Sequence, residues 1–253
     1  MKLIFLGAGS AFTLEPNNYQ SNMIIEADNG KRLLIDCGTD IRFSLRDQGI
    51  ELDTIDAVYV SHQHADHVGG MEYLMFSTYF NPTLKRPTLF VNENLAPDLW
   101  THTLSGGAGS IQTKITSLDD YFVVEAIEKN GSFLWEGVSF TLVQVVHYMD
   151  GFDIVPSYGL MFTVNEVSYF ITTDTQFNPN QIRDFYNMSD IIFQDSETSP
   201  FPSGVHAHYN ELVTLDEETK AKMWLYHYQP GDKADCIQDG FRGWVVKGQT
   251  FEL

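Results

Sequence analysis

Basic residues are scarce in this chain of 253 residues. Lys and Arg number 15 against 34 Asp and Glu, which leaves a formal net charge of −19. A protein that grips a nucleic-acid backbone needs a stripe of Lys and Arg, because phosphate neutralisation supplies most of the affinity. No window clusters them here, so a large nucleic acid is not an expected partner. Anionic membrane surfaces are disfavoured for the same reason. Cysteine is sparse as well: Cys37 and Cys236 are too few for a disulfide framework. Cys37 reads as a small core residue, and a reducing cytoplasmic compartment fits. No stretch approaches the ~20 apolar residues of a membrane span. The apolar residues 3–6 follow a single Lys and are too few for a leader, so they read as a first buried strand. The small-residue run Gly7-Ala8-Gly9-Ser10-Ala11-Phe12 lacks the third glycine of a dinucleotide fingerprint. Residues 105–109 are glycine-rich but have no lysine at the spacing of a phosphate loop, and they read as a connection or a lid.

What is present suits a packed core: 43% of the residues are hydrophobic and 13% aromatic. The length allows one large α/β domain or two small ones. Residues 22–27 and 31–36 flank Asp28-Asn29-Gly30, a hairpin turn signal. Ile41 and Leu45 mark a short helix ended by Gly49, and residues 56–61 form a buried strand. The second half repeats this outline. Residues 139–146 alternate as a strand ending in His147. A hairpin over 160–172 runs into Thr173-Asp174, a helix opens at Asn178-Pro179, and residues 191–194 and 222–226 are further strands, with residues 240–246 closing the sheet. The aromatics between Tyr73 and Phe80 read as helix packing, with a pocket wall as the alternative. The duplicated layout predicts one domain over residues 1–253, with two mixed sheets face to face and helices outside, an α/β sandwich of four layers ordered αβ/βα.

The densest chemistry lies in His62-Gln63-His64-Ala65-Asp66-His67, with three imidazoles and one carboxylate in a single short run. His62 and His64 point to the same side of an extended backbone. Imidazole nitrogen and carboxylate oxygen are ligands for zinc, and also for manganese or iron. The run follows a predicted strand, and the carboxyl ends of strands are where open α/β sheets place ligands.

An H-x-H-x-D-H run at a strand end resembles the metallo-β-lactamase superfamily. That resemblance implies two divalent metal ions, most simply Zn2+. It assigns His62, His64 and His147 to the first, Asp66, His67 and His227 to the second, and Asp174 as the bridge. Asp36 would prop the histidine loop by hydrogen bonds. Two such metals lie about 3.5–4 Å apart and hold a hydroxide that attacks the substrate. Their four positive charges, less three from Asp66, Asp174 and hydroxide, leave one, which favours a monoanion such as a phosphodiester.

Within the superfamily, the opening run, Asn18, Ser21-Asn22 and Glu197 followed by His206 resemble ribonuclease Z-like phosphodiesterases. The resemblance makes Asp66, Glu197 and His206 catalytic, with Glu197 and His206 as a proton relay to the leaving oxygen. His208 competes for that role, although a surface position suits it equally well. His102 reads as structural. The protruding basic arm of true ribonuclease Z is missing. The chain is therefore more similar to small phosphodiesterases of this fold, including phage anti-Pycsar cyclic nucleotide phosphodiesterases. The expected activity is hydrolysis of small nucleotide diesters, cyclic ones included, by a homodimer. A tRNA 3′ endonuclease and a lactone or thioester hydrolase are the alternatives. An effector-binding module is disfavoured by the intact ligands, and a diiron oxygen-reducing enzyme by the missing glutamate ligand and flavin domain.

Overall fold

The alternation of apolar residues along the strands determines the layers. In β3 (Arg32–Ile35), Leu33 and Ile35 face one core while Leu34 faces another. In β4 (Ile55–Val60), Ala57 and Tyr59 join the first core and Val58 and Val60 the second. A period of two puts successive side chains on opposite sheet faces, so strands like these are buried on both sides. The computed structural model describes residues 1–253.

In chain order, β1 (Lys2–Phe5) and β2 (Met23–Glu26) precede β3, and α1 (Ile41–Asp47) links β3 to β4. α2 (Ala65–Val68) and α3 (Met71–Tyr79) lead to β5 (Thr88–Asn92). α4 (Leu95–Asp98), a π-helical turn (Leu99–Leu104), α5 (Ser105–Ala108), the small hairpin β6 (Ser110–Ile111) and β7 (Lys114–Ile115), and α6 (Leu118–Tyr121) then lead to β8 (Val123–Ile127). The second half contains β9 (Ser132–Trp135), β10 (Val138–Met149), β11 (Ile154–Val164), β12 (Val167–Ile171), α7 (Pro179–Met188) and β13 (Ile191–Asp195). It ends with α8 (Tyr209–Leu212), α9 (Glu217–Lys220), β14 (Met223–Tyr226), β15 (Gly243–Trp244) and β16 (Thr250–Glu252).

Two seven-stranded sheets result, ordered β16-β1-β2-β3-β4-β5-β8 and β15-β14-β13-β12-β11-β10-β9. Each is antiparallel on one side and parallel on the other. Leu3, Phe5, Ile35 and Tyr59 meet Leu160, Ile171, Phe193 and Tyr226 in the core between the sheets. Ile41, Leu45 and Leu74 cover the outer face of the first sheet, and Ile182 and Tyr186 that of the second. The four-layer α/β sandwich is therefore the observed fold.

Four local features differ from the sequence reading. β10 runs through His147 instead of stopping before it, with a bulge between Val146 and Tyr148 that leaves His147 out of the pairing. Residues 105–108 are helical. The end of the chain serves both sheets: β15 is an edge of the second, while β16 returns to pair with β1 in the first. The aromatic run divides: Phe76 and Tyr79 pack on Tyr121 with ring centroids 5.8 and 5.2 Å away, whereas Phe80 is 63% exposed. No helix is long and apolar enough to cross a membrane.

Candidate metal centre

Strands β3, β4, β12, β13 and β14 each end at the same rim, and the next residues carry the site. Three of these residues, Asp36, Thr173 and His227, take left-handed backbone conformations with φ of 63°, 54° and 65°. Such conformations cost of order 1–3 kcal/mol each in non-glycine residues. The strand exits are thus turned sharply to aim functional groups into one place.

Three overlapping groups of donors converge there, one of them Asp174, Asp195, His206 and His227, and the other two hold the expected ligands. His62, His64, His147 and Asp174 form one, and Asp66, His67, His227 and Asp174 form the other, with donor atoms in each group within 4.8 Å of one another. The seven residues expected as ligands are thereby brought together, and Asp174 belongs to both groups. Its Oδ2 lies 3.2 Å from His67 Nε2, 3.6 Å from His62 Nε2 and 3.9 Å from His147 Nε2, while Oδ1 lies 3.6 Å from His227 Nε2. Asp66 Oδ2 is 3.1 Å from His67 Nε2 and 3.3 Å from His227 Nε2. His64 offers Nδ1, which sits 3.0 Å from His147 Nε2.

The donors fit divalent cations on a direct observation. The Nε2 atoms of His62 and His67 and Oδ1 of Asp174 are buried without a hydrogen-bond partner. Such orphaned groups cost roughly 1–3 kcal/mol each, and here several are aimed at the same points. Burial, aided by neighbouring imidazoles, pushes His62 well down. Burial also pushes His147 down to about 4, which keeps its ring neutral and able to ligate. At His67 and His227 burial also opposes protonation, but Asp174 and neighbouring carboxylates outweigh it and raise both. Burial resists ionisation of Asp66 and Asp174 too; the adjacent histidines more than offset it and hold both carboxyls low.

Supporting groups fix the ligands. Asp36 accepts from the Ser61 backbone N–H at 2.8 Å and Ser61 Oγ at 2.7 Å, and its Oδ2 is 2.7 Å from His67 Nδ1. Ser61 Oγ is also 3.0 Å from His62 Nδ1. The early aspartate therefore holds the histidine loop, as expected. Asn22 adds a tie by donating to the Asp66 carbonyl at 3.0 Å and accepting from the Gly38 N–H.

The expected pairing of Glu197 with His206 is not formed. Glu197 accepts from Ser199 Oγ at 2.7 Å, from the Ser203 N–H at 2.9 Å and from Ser203 Oγ at 3.0 Å, so its carboxylate clamps the loop before His206. The partner of His206 is Asp195, whose Oδ2 lies 2.8 Å from His206 Nδ1. Burial opposes protonation of His206, and Asp195, by charge and hydrogen bond, outweighs it and raises the imidazole. Asp195 also lies 3.3 Å from His227 Nδ1 and accepts from the Thr175 N–H. Sequence reasoning passed over Asp195, although it ends a strand as Asp36 and Asp174 follow theirs. His208 is not at the surface. It is buried, caps α8 by accepting from the Asn210 N–H, and places Nε2 3.0 Å from the Ser199 carbonyl. His102 is exposed, 3.7 Å from Asp98.

A cavity of about 310 Å³ opens beside His62 and His64, walled by Gln63, Asn94, Leu95, Asp98, Tyr148 and Tyr158 among others. The Tyr148 ring stacks on His64 with centroids 5.6 Å apart.

Two facing mixed sheets with paired donor clusters at one rim define a metal-dependent hydrolase of the metallo-β-lactamase fold. Solved structures agree on the fold. A metallo-β-lactamase fold protein, YhfI from Bacillus subtilis, superposes with a TM-score of 0.76 at 16% identity, covering 99% of this chain and 98% of that one. A diphosphatase of the PhnP family gives 0.73 at 22% identity, covering 99% and 96%. More specifically, the chain belongs to the anti-Pycsar protein Apyc1 family, whose model matches residues 1–251. It is 35% identical over 243 residues to the anti-Pycsar protein Apyc1 of Paenibacillus harenae, covering 94% of this chain and 93% of that protein.

Proposed function

We propose that the protein is a phosphodiesterase acting on small nucleotide diesters, cyclic nucleotides among them, with residues 1–253 as one hydrolase domain. The observation that carries this reading is the pair of donor clusters sharing Asp174, with His206 at their edge. The donor set supports two divalent ions, one on His62, His64 and His147, the other on Asp66, His67 and His227, with Asp174 serving both. When bound, such ions supply Lewis acidity and make water acidic enough to ionise near neutral pH. Zinc suits the nitrogen-rich set, and manganese or iron is compatible with it.

The chain's own residues do the rest. Asp36 and Ser61 hold the rings of His67 and His62 so that their free nitrogens face the reaction centre. Asp195 holds His206 through Nδ1 and favours its protonated form, which leaves Nε2–H as a donor. Hydrolysis joins the oxygen of water to phosphorus and breaks the bond to the leaving sugar oxygen. That oxygen takes its proton from His206. Glu197 keeps the preceding loop in place. The acidic surface argues against tRNA as substrate. Free buried Cys37 and Cys236 suit a reducing cytoplasm, and exposed Tyr73 and Phe80 on or next to α3 suit a homodimer interface.

The test is turnover by metal-loaded protein. The reading expects hydrolysis of at least one 3′,5′-cyclic nucleotide and of bis(p-nitrophenyl) phosphate. Inertness towards every diester, alongside cleavage of lactones, would overturn it.

A further inference from the structure

His206 stands near the far end of a loop without regular structure. Residues 200–204 are exposed, and Pro200 and Pro202 have no backbone N–H to donate. Gly204 is left-handed with φ of 77°, and open space surrounds the place a Cβ would take. Glu197 ties this loop at Ser199 and Ser203. The residues next to His206 need an anchor of their own, because a proton donor acts only within hydrogen-bond reach of the leaving oxygen.

Three contacts provide it. His206 Nδ1 lies 2.8 Å from Asp195 Oδ2, the Val205 carbonyl lies 2.9 Å from His147 Nδ1, and the Gly204 carbonyl accepts from Gln176 Nε2 at 2.8 Å. Asp195 and His147 also serve the donor clusters, whereas Gln176 belongs to none of them. An amide that faces a carbonyl must present its nitrogen, so Gln176 is a donor here. Its backbone is fixed in turn, because its N–H donates at 2.8 Å to the carbonyl of Val146, beside the bulge that carries His147. One residue earlier, the Thr175 N–H donates at 2.9 Å to Asp195 Oδ2, the oxygen that also faces His206. Residues 174–176 therefore reach, in order, the donor clusters, the carboxylate that holds His206 and the loop that carries it.

Resting on the phosphodiesterase reading, we infer that Gln176 is a positioning residue for His206: its side-chain amide pins the Gly204 carbonyl and thereby aims the imidazole at the donor clusters. His206 Nδ1 is 3.9 Å from Asp174 Oδ2, so the ring sits at the edge of those clusters. Removing the amide frees the backbone at Gly204, a residue whose lack of a side chain lets it turn easily. The ring can then keep its bond to Asp195 and still swing about it, which moves the donating Nε2 away from the leaving oxygen. A misplacement of about 1 Å costs up to roughly 10²-fold in rate. Gln176 makes no contact of its own with the clusters, so its effect runs through His206.

The experiment compares wild type, Gln176→Leu, His206→Ala and the double variant, each metal-loaded, on a 3′,5′-cyclic nucleotide and on bis(p-nitrophenyl) phosphate. Elemental analysis and hydrogen exchange over residues 199–206 accompany it. Gln176→Leu keeps the bulk and removes the donor, and should lower kcat on the cyclic nucleotide by roughly 10–100-fold. With the p-nitrophenyl diester, whose leaving group needs no proton, the loss should stay within about twofold. Metal content should be unchanged and exchange over 203–206 faster. In the His206→Ala background the second substitution should cost no more than about twofold, because residues that act as a unit are not additive. Gln176→Ala repeats the test without the leucine side chain should Gln176→Leu misfold, which a thermal scan reveals. Unchanged kcat on the cyclic nucleotide, equal losses on the two diesters, lost metal, or a full further loss in the double variant would each overturn the positioning role. Wild-type protein inert towards every diester would instead overturn the phosphodiesterase reading. The tie is then judged by exchange alone, and exchange over 203–206 no faster in Gln176→Leu would sink it.

Discussion

Asp174 is the residue on which both donor clusters depend, because its two carboxylate oxygens face ligands of each. Asp174→Ala should therefore abolish stoichiometric binding at both positions, whereas His227→Ala should weaken only the second. Elemental analysis after metal saturation and desalting distinguishes them, and equal residual metal in the two variants would remove the sharing role. The candidate donors were legible in the sequence because four of them sit in one short run and Asp174 and His227 follow strand ends, while His147 lies at a bulge within β10. Asp195 was not legible as the partner of His206. That contact depends on β13 delivering one residue and a looping return delivering the other, and Glu197, two positions away, has the same charge and a similar distance in sequence. The role proposed for His206 has its own consequence. His206→Ala should slow hydrolysis by about 10²–10⁴-fold where the leaving group is an alkoxide. The loss should shrink for p-nitrophenolate, which departs without a proton, and metal content should stay unchanged. A silent His206→Ala with a cyclic nucleotide would exclude it as the donor.

At the scale of elements, the rim is built by strands that stop and loops that are tied down. The alternating apolar strands, the hairpins and the helix at Asn178-Pro179 follow local rules of periodicity and turn chemistry, so they could be read directly. The bulge at His147 could not, since it lies within a ladder whose continuation past Val146 depends on β11 alongside. The same holds for β16, whose place next to β1 is set by the closing of the first sheet. The loop over 198–205 shows how a tie at one residue governs an element. Glu197 is buried and accepts from two serines of that loop, and its backbone pairs with Ala207 and Tyr209 on either side of His208. Glu197→Gln removes the charge that strengthens those bonds. Hydrogen bonds to charged groups contribute about 1.5–3 kcal/mol, and about 1 kcal/mol moves the melting point of a chain this size by roughly 2–4 °C. The variant should melt several degrees lower and be cut faster by protease near residues 200–204 while retaining its metal. Unchanged melting and proteolysis would mean that the clamp has no structural effect.

The whole molecule carries a large excess of negative charge, and this limits the size of what it can act on. The net charge of −19 is spread over a surface with only 15 basic side chains, several of them already paired, as Lys31 is with Glu136 and Arg32 with Glu26. Repulsion of a polyanion extends over a Debye length of about 10 Å at 0.1 M salt. A cyclic mononucleotide held at the donor clusters would span little more than that length and meet little of the remaining surface. A precursor tRNA extends far beyond that length and must lie against acidic surface, without the several Lys and Arg contacts that phosphate binding requires. Small diesters should therefore be cleaved far more efficiently than precursor tRNA. Raising salt should narrow the gap by screening the repulsion, the opposite of the salt response of a basic nucleic-acid enzyme. Competition of a cyclic nucleotide against precursor tRNA at low and high salt measures both effects. More efficient tRNA cleavage than small-diester cleavage at any salt concentration would refute the size limit, and a gap indifferent to salt would show that shape rather than charge excludes the larger substrate.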